Sequence, residues 1–209
     1  DPPDSPAVLD AGPAGVVLIG DDTPLWLLDG DTFKKVPGLS APVARVVVLD
    51  NGFFAVSIES VDPDEPENAV MSYWISDDGR IWTEATDVPN DMYELTSWGD
   101  NVYLSNWGEG IGYTSTDGGR TWGPPTMRPG EGLAISDAGY FSVQPGIFGP
   151  PVGAVWVSSD DVDWQRAANS WPPMWMFPPI ISGDTILIPS AAEITSDESP
   201  YLDWIGNIN

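Results

Sequence analysis

The octapeptide Ser115-Thr116-Asp117-Gly118-Gly119-Arg120-Thr121-Trp122 constrains the fold of this chain more than any other stretch. Its paired glycines permit a positive φ in a tight reversal, and Asp117 is placed to accept hydrogen bonds from the amides of its own turn. Thr121 and Trp122 open a returning strand, and the tryptophan is large enough to lie over the hairpin and fill the gap to a neighbouring sheet. The pattern recurs. ISDDGRIW ends at Trp82 and keeps Asp77, Gly79 and the tryptophan, VSSDDVDW ends at Trp164, SDESPYLDW ends at Trp204, and WLLDGDTF ends upstream at Phe33. From Phe33 onward these aromatic anchors are 49, 40, 42 and 40 residues apart. A period of about 40 to 45 residues is the length of four short strands with their turns.

With 22 Gly and 22 Pro, the chain is interrupted too often for long helices, and β-branched and aromatic runs of five to eight residues recur instead of a helical period. The expected fold is therefore all-β, a β-propeller of about five four-stranded blades forming a single domain over residues 7–209. Its repeats fall at 7–37, 43–86, 92–125, 131–168 and 177–206. Part of a six- or seven-bladed propeller is an alternative reading, and a β-sandwich is the runner-up. In the third repeat the outermost strand is expected at Arg120–Trp122. In the fifth, four strands are expected at Pro179–Ser182, Thr185–Pro189, Ala192–Thr195 and Tyr201–Ile205.

Ser115, Asp117, Gly119, Thr121 and Trp122 complete the pattern S-x-D-x-G-x-T-W, and Asp77, Gly79 and Trp82 match part of it. The chain thus resembles the Asp-box, or BNR-repeat, β-propellers. These include sialidases, xyloglucan-active glycosidases, sortilin-type receptors and photosystem II assembly factors. The resemblance implies a structural role for those eight residues, on the hairpin between the two outer strands of a blade and away from the ligand mouth. Sialidases bind the substrate carboxylate with three arginines. This chain has only Arg45, Arg80, Arg120, Arg128 and Arg166, two of them inside the recurring turns, and no Arg-Ile-Pro motif. The architecture is sialidase-like without the sialidase catalytic set.

Seven Lys and Arg stand against 32 Asp and Glu, a net charge of −25. Such a surface repels nucleic acid and anionic lipid and favours cations and basic partners. The absence of His and Cys removes imidazole triads, thiolate chemistry, disulfides and ordinary zinc sites. No apolar run is long enough for a membrane-spanning helix. The opening Asp1-Pro2-Pro3-Asp4-Ser5-Pro6 reads as a linker, residues 1–6, left after removal of a leader, so an extracellular or cell-surface location is expected.

Sorting loops by face isolates the candidate site. Turns between the first and second strands of a blade share one face with those between the third and fourth. Ligands are expected on the other face, where Trp107, Phe148, Trp171 and Trp175 fall, the last two within the loop Ala167–Phe177. Exposed aromatic side chains on a rigid mouth suit sugar stacking or a protein partner, and a central plug is the competing use. The same face carries Asp62, Asp64, Glu65 and Glu67, an oxygen-rich loop able to take Ca²⁺ though without EF-hand spacing. No other cofactor is implied. The reading is a non-catalytic binding or assembly module for a glycan or protein. The alternative is a glycoside hydrolase working through a carboxylate pair such as Asp62 and Glu109.

Overall fold

The computed structural model of the chain describes residues 6–20, 24–39, 42–59, 70–89, 92, 94–106, 110–130, 132–137, 139–144, 153–171, 175–176, 180–182, 185–191 and 201–207. No helix occurs among them. The strands assemble with their chain neighbours into antiparallel sheets. The first sheet contains β1 (Pro6–Gly12), β2 (Gly15–Gly20), β3 (Leu25–Asp29) and β4 (Thr32–Lys35). The second contains β5 (Val43–Val48), β6 (Phe53–Glu59), β7 (Val70–Ser76) and β8 (Thr83–Glu84). The third contains β9 (Glu94–Trp98), β10 (Asn101–Ser105), β11 (Ile111–Ser115) and β12 (Thr126–Met127). The fourth contains β13 (Gly132–Ser136), β14 (Gly139–Gln144), β15 (Gly153–Ser158) and β16 (Gln165–Trp171).

The fifth sheet departs from the expected serial order. It contains β17 (Trp175–Met176), β18 (Ile180–Ser182), β19 (Thr185–Ala191) and β20 (Tyr201–Asn207). Both β17 and β18 pair with β19, at its opposite ends, while β20 pairs along its whole length from Thr185↔Asn207 to Ala191↔Tyr201. The last strand therefore takes the third place rather than the fourth. The strand expected at Ala192–Thr195 lies outside the described residues. Two further boundaries differ. The third sheet ends on Thr126–Met127 because Arg120–Trp122 belong to the turn, which closes with Gly123 N–H donating to the Thr114 carbonyl at 2.9 Å. The loop expected at Ala167–Phe177 is shorter, since β16 runs on to Trp171 and Trp175 lies in β17.

By contact density the chain forms two compact units, Asp1–Leu104 with Tyr113–Pro124, and Ser105–Gly112 with Pro125–Asn209. In the first unit the core follows from strict alternation along strands covered on both faces. On β6, Phe53 and Ala55 join Val17, Leu25, Val46 and Val48 in one cluster. Phe54 and Val56 point the other way and join Val47, Tyr73, Val102 and Leu104. Phe53 and Phe54 are 1% and 0% exposed, so the second sheet is apolar on both sides at adjacent positions. The tryptophans that follow the turns cap these clusters: Trp82 packs against Phe53 with ring centroids 6.1 Å apart, and Trp122 meets Phe54 edge-on at 5.8 Å.

Candidate functional site

Three hairpins between third and fourth strands fold around the same Ser-x-Asp unit. After β11, the Ser115 hydroxyl donates to Asp117 Oδ1 at 2.8 Å and accepts from Gly119 N–H at 2.8 Å. Asp117 Oδ1 also takes the amides of Arg120 and Thr121, and Oδ2 takes the Thr121 hydroxyl at 2.7 Å. After β7 the unit is Ser76-Asp77-Asp78, with Asp78 Oδ1 accepting from Arg80 N–H and Ile81 N–H at 2.8 and 2.9 Å. After β15 it is Ser158-Ser159-Asp160, with Asp160 accepting from Val162 and Asp163.

Aligning the repeats on their tryptophans put Asp77 in the acceptor position; the hydrogen bonds put Asp78 there. The turn after β7 is one residue shorter than the turn after β11, so counting back from Trp82 slips the register by one. Gly119, at φ 88°, sits so close to the second sheet that a Cβ would come within 2.3 Å of the Phe54 ring. In the turn after β15 the left-handed position occupied by Gly79 (φ 71°) goes to Asp161 (φ 62°). Asp161 is fixed there by Arg128, whose Nε donates to Oδ1 at 2.7 Å, and the two side chains are 9% and 4% exposed.

The turn carboxylates are held ionised. Amides of Ile81 and Arg80 keep Asp78 below the ordinary carboxylate range, and those of Asp163 and Val162 do the same for Asp160. Burial pushes Asp117 upward, but the Thr121 hydroxyl and amide and the Ser115 hydroxyl together outweigh it, and its value is lowered. The hydrogen bond and charge of Lys34 lower Asp29.

Within the first unit these hairpins are also sewn to their neighbours. Arg80 reaches back to Asp29 at 3.1 Å, and Arg120 reaches back to Asp77. Both arginines occupy the same place in successive turns, and each takes an aspartate one sheet earlier, Asp29 at the end of β3 and Asp77 in the turn after β7. The β5–β6 and β9–β10 turns join as well. Both oxygens of Asp100 accept from Asn51, from the backbone amide at 2.8 Å and from Nδ2 at 2.6 Å, while Asp100's own carbonyl takes Gly118 N–H at 3.0 Å. Between these turns lies a recess of about 230 Å³, bordered by Leu49, Asn51, Phe53, Asp100, Asp117 and Arg120. Its polar walls are already bonded to one another. The sequence places Asp78 among the turn residues that bond local backbone but not as the equivalent of Asp117, which only the recurring Ser-x-Asp spacing signals, and it gives no sign of the pairs Asn51–Asp100 and Arg128–Asp161.

The expected mouth residues stand differently. Trp107, Phe148, Asp62, Asp64, Glu65, Glu67 and Glu109 lie outside the described residues. Trp171 and Trp175 lie in β16 and β17, where Trp171 pairs with Gly153 and Trp175 with Ala191.

No protein-family model matches the sequence, and no curated protein matches it. Among solved structures the chain is similar to YCF48 from Cyanidioschyzon merolae, at 12% identity and a TM-score of 0.58 over 88% of this chain and 65% of that one. It is similar to the GH74 xyloglucanase from Xanthomonas campestris, at 15% identity and 0.59 over 96% and 36%. It is also similar to the acylaminoacyl peptidase of Pyrococcus horikoshii, at 8% and 0.58 over 88% and 35%. All three contain β-propellers. The present chain has the β-propeller fold. This propeller spans less than two thirds of the length of each of these proteins, and at such identities the likeness is one of fold.

Proposed function

We propose that this propeller is an exported or cell-surface, non-catalytic binding or assembly module, and that its partner docks on the face opposite the stitched hairpins. The observation that carries this reading is the engagement of the hairpin face in the first unit. Its conspicuous aspartates serve turn amides and arginines, so they act as Asp-box-type fasteners and leave recognition to the loops at the other end of the blades. Trp107, Phe148, Trp171 and Trp175 are the aromatic residues assigned to that mouth.

Charge selects among partners. Of the seven Lys and Arg, Lys34, Arg80, Arg120 and Arg128 are paired with aspartates of the same chain, which leaves a surface dominated by acidic groups. A basic peptide segment fits that surface better than a neutral glycan. A peptide as ligand is in keeping with the solved complex of YCF48 with a D1 peptide, which the chain resembles in fold at a TM-score of 0.56.

The test is a paired screen of peptides of graded charge and of arrayed glycans, with and without Ca²⁺, against the wild type and the Trp171→Ala and Trp175→Ala variants. Binding of basic peptides that rises as salt is lowered and is lost in either variant supports the reading. Glycan binding with the same loss moves the partner class to sugars and leaves the module intact. Turnover of xyloglucan or another glycan, abolished by Asp62→Asn or Glu109→Gln, replaces the reading with glycoside hydrolysis.

A further inference from the structure

The β5–β6 hairpin carries Asn51-Gly52 at its tip, and we propose that this dipeptide is a self-modification site held in check by Asp100. The fold imposes the glycine. Leu49 N–H donates to the Gly52 carbonyl at 2.8 Å, so Asp50 and Asn51 are the two central residues of the reversal, and no other residue fits at 52, because a Cβ there would lie 2.6 Å from the Ser76 carbonyl oxygen. A glycine amide nitrogen is also the least hindered nucleophile a following residue can present to an asparagine side chain.

The reaction needs water alone. After losing its proton to solvent base, the Gly52 amide nitrogen attacks Asn51 Cγ. The new C–N bond closes a five-membered succinimide, the Cγ–Nδ2 bond breaks, and ammonia leaves with a proton from solvent. Water then opens the ring at either carbonyl and leaves aspartate or isoaspartate at position 51. Nothing is oxidised or reduced.

Asp100 opposes the first step. Its two oxygens take both Asn51 donors, so Cγ cannot swing onto the Gly52 nitrogen without giving up the Nδ2 bond. The product reverses the interaction. The Nδ2 donor is gone while the backbone amide remains, and a second carboxylate faces Asp100 across the seam between equivalent hairpins of consecutive sheets, beside the recess that both residues border. Modification thus turns a fastener into a repulsive pair, irreversibly. Asn51 is exposed, whereas Gly52, whose amide must lose its proton, is buried, which slows the first step in the folded chain further.

The experiment is peptide mapping by mass spectrometry after incubation of the intact chain in mildly alkaline buffer, folded and in urea. Asn51 is expected to convert more slowly in the folded wild type than in the unfolded chain. Asp100→Ala is expected to accelerate it roughly tenfold, the factor that matches losing one hydrogen bond to a charged group. Asn51→Asp, which mimics the product, is expected to lower the unfolding midpoint, and Asn51→Asp with Asp100→Asn to restore it. Equal rates in folded and unfolded wild type, or conversion at other asparagines ahead of Asn51, overturn the proposal. So does an Asn51→Asp defect that Asp100→Asn does not relieve. The rate comparison on wild type stands even if the Asp100 variants fail to fold.

Discussion

The buried pair Arg128–Asp161 offers the sharpest test of how the second unit is held together. Asp161 occupies a left-handed position at φ 62°, where glycine is the unstrained choice, and Gly79 fills the corresponding place in the equally long turn after β7. A side chain there costs about 1 to 2 kcal/mol relative to glycine. Conformation alone therefore predicts that Asp161→Gly stabilises the protein. Electrostatics predicts the opposite. Arg128 and Asp161 are 4% and 9% exposed and joined through Nε and a second guanidinium nitrogen. Removing one member of a buried pair leaves an uncompensated charge and costs about 3 to 5 kcal/mol. The larger effect wins, so Asp161→Gly is expected to lose about 1 to 4 kcal/mol net. Asp161→Asn, which keeps the shape and tolerates the left-handed region, lacks the conformational gain and is expected to lose at least as much. Replacing both partners, Arg128→Met with Asp161→Gly, removes the charge and the strain together and is expected to recover most of the loss. Urea unfolding followed by tryptophan fluorescence measures the cycle of wild type, Asp161→Gly, Arg128→Met and the double variant. Wild-type or higher stability for Asp161→Gly would refute the electrostatic account, and a coupling energy near zero would show that Arg128 is held by its other contacts.

Gly119→Ala forces a Cβ into the Phe54 ring at a positive φ, so strain and overpacking act together. A loss of about 2 kcal/mol or more is expected on urea unfolding, and a loss under about 0.5 kcal/mol would show that the turn shifts freely. The turn carboxylates Asp78, Asp117 and Asp160 have folded values below the free side chain's 3.8. Their stabilisation is therefore complete above that value and is lost as the pH falls below it through the folded values, which acid titration of the unfolding midpoint will read. Net repulsion acts the other way at neutral pH. With a charge of −25, raising salt toward physiological strength is expected to raise the melting temperature, about 2–4 °C for each kcal/mol of relieved repulsion, and a flat response would refute this. Arg120→Met, at an exposed pair with Asp77, is expected to leave stability within error of wild type.

Much of the architecture is legible in the sequence because its signals are local. The Gly118-Gly119 pair and the alternating apolar residues act over a few positions, and each of the first four sheets is built from four consecutive strands, as a period of four short strands requires. The errors are also physical. Trp122 is conspicuous, but it belongs to the far side of the turn, where length varies; Ser76, Ser115 and Ser158 belong to the near side, where hydrogen bonding sets the geometry. Asp78 and Asp160 are legible as turn aspartates, and anchoring on serine also shows them to be the equivalents of Asp117. The outer strand of the third sheet was misplaced for the same reason, since Thr126–Met127 lies beyond Gly123-Pro124-Pro125 and has only two paired residues to reveal it. In the fifth sheet the last strand pairs directly with β19, the described strand before it, and nothing in the residues of Tyr201–Asn207 distinguishes a strand in the third place from one in the fourth.

The pairs Asn51–Asp100, Arg80–Asp29 and Arg120–Asp77 were illegible for a related reason: each joins residues 43 to 51 positions apart, about one blade period. Within a single repeat such residues look like ordinary solvated turn charges. Only when two repeats are laid side by side does a rule emerge, with an arginine after the turn glycine meeting an aspartate one sheet earlier. The rule stops in the fourth repeat, where Val162 takes the arginine's place and is 69% exposed. There the buried Arg128–Asp161 pair, inside the second unit, holds the turn instead. The few cations of this acidic chain are thus concentrated where hairpins must be fastened, and the same expenditure leaves the remaining surface anionic. On the function proposed above, the cations that fasten the hairpins are the ones withdrawn from the surface that a basic partner would meet, so fastening and partner charge follow from one distribution of charge.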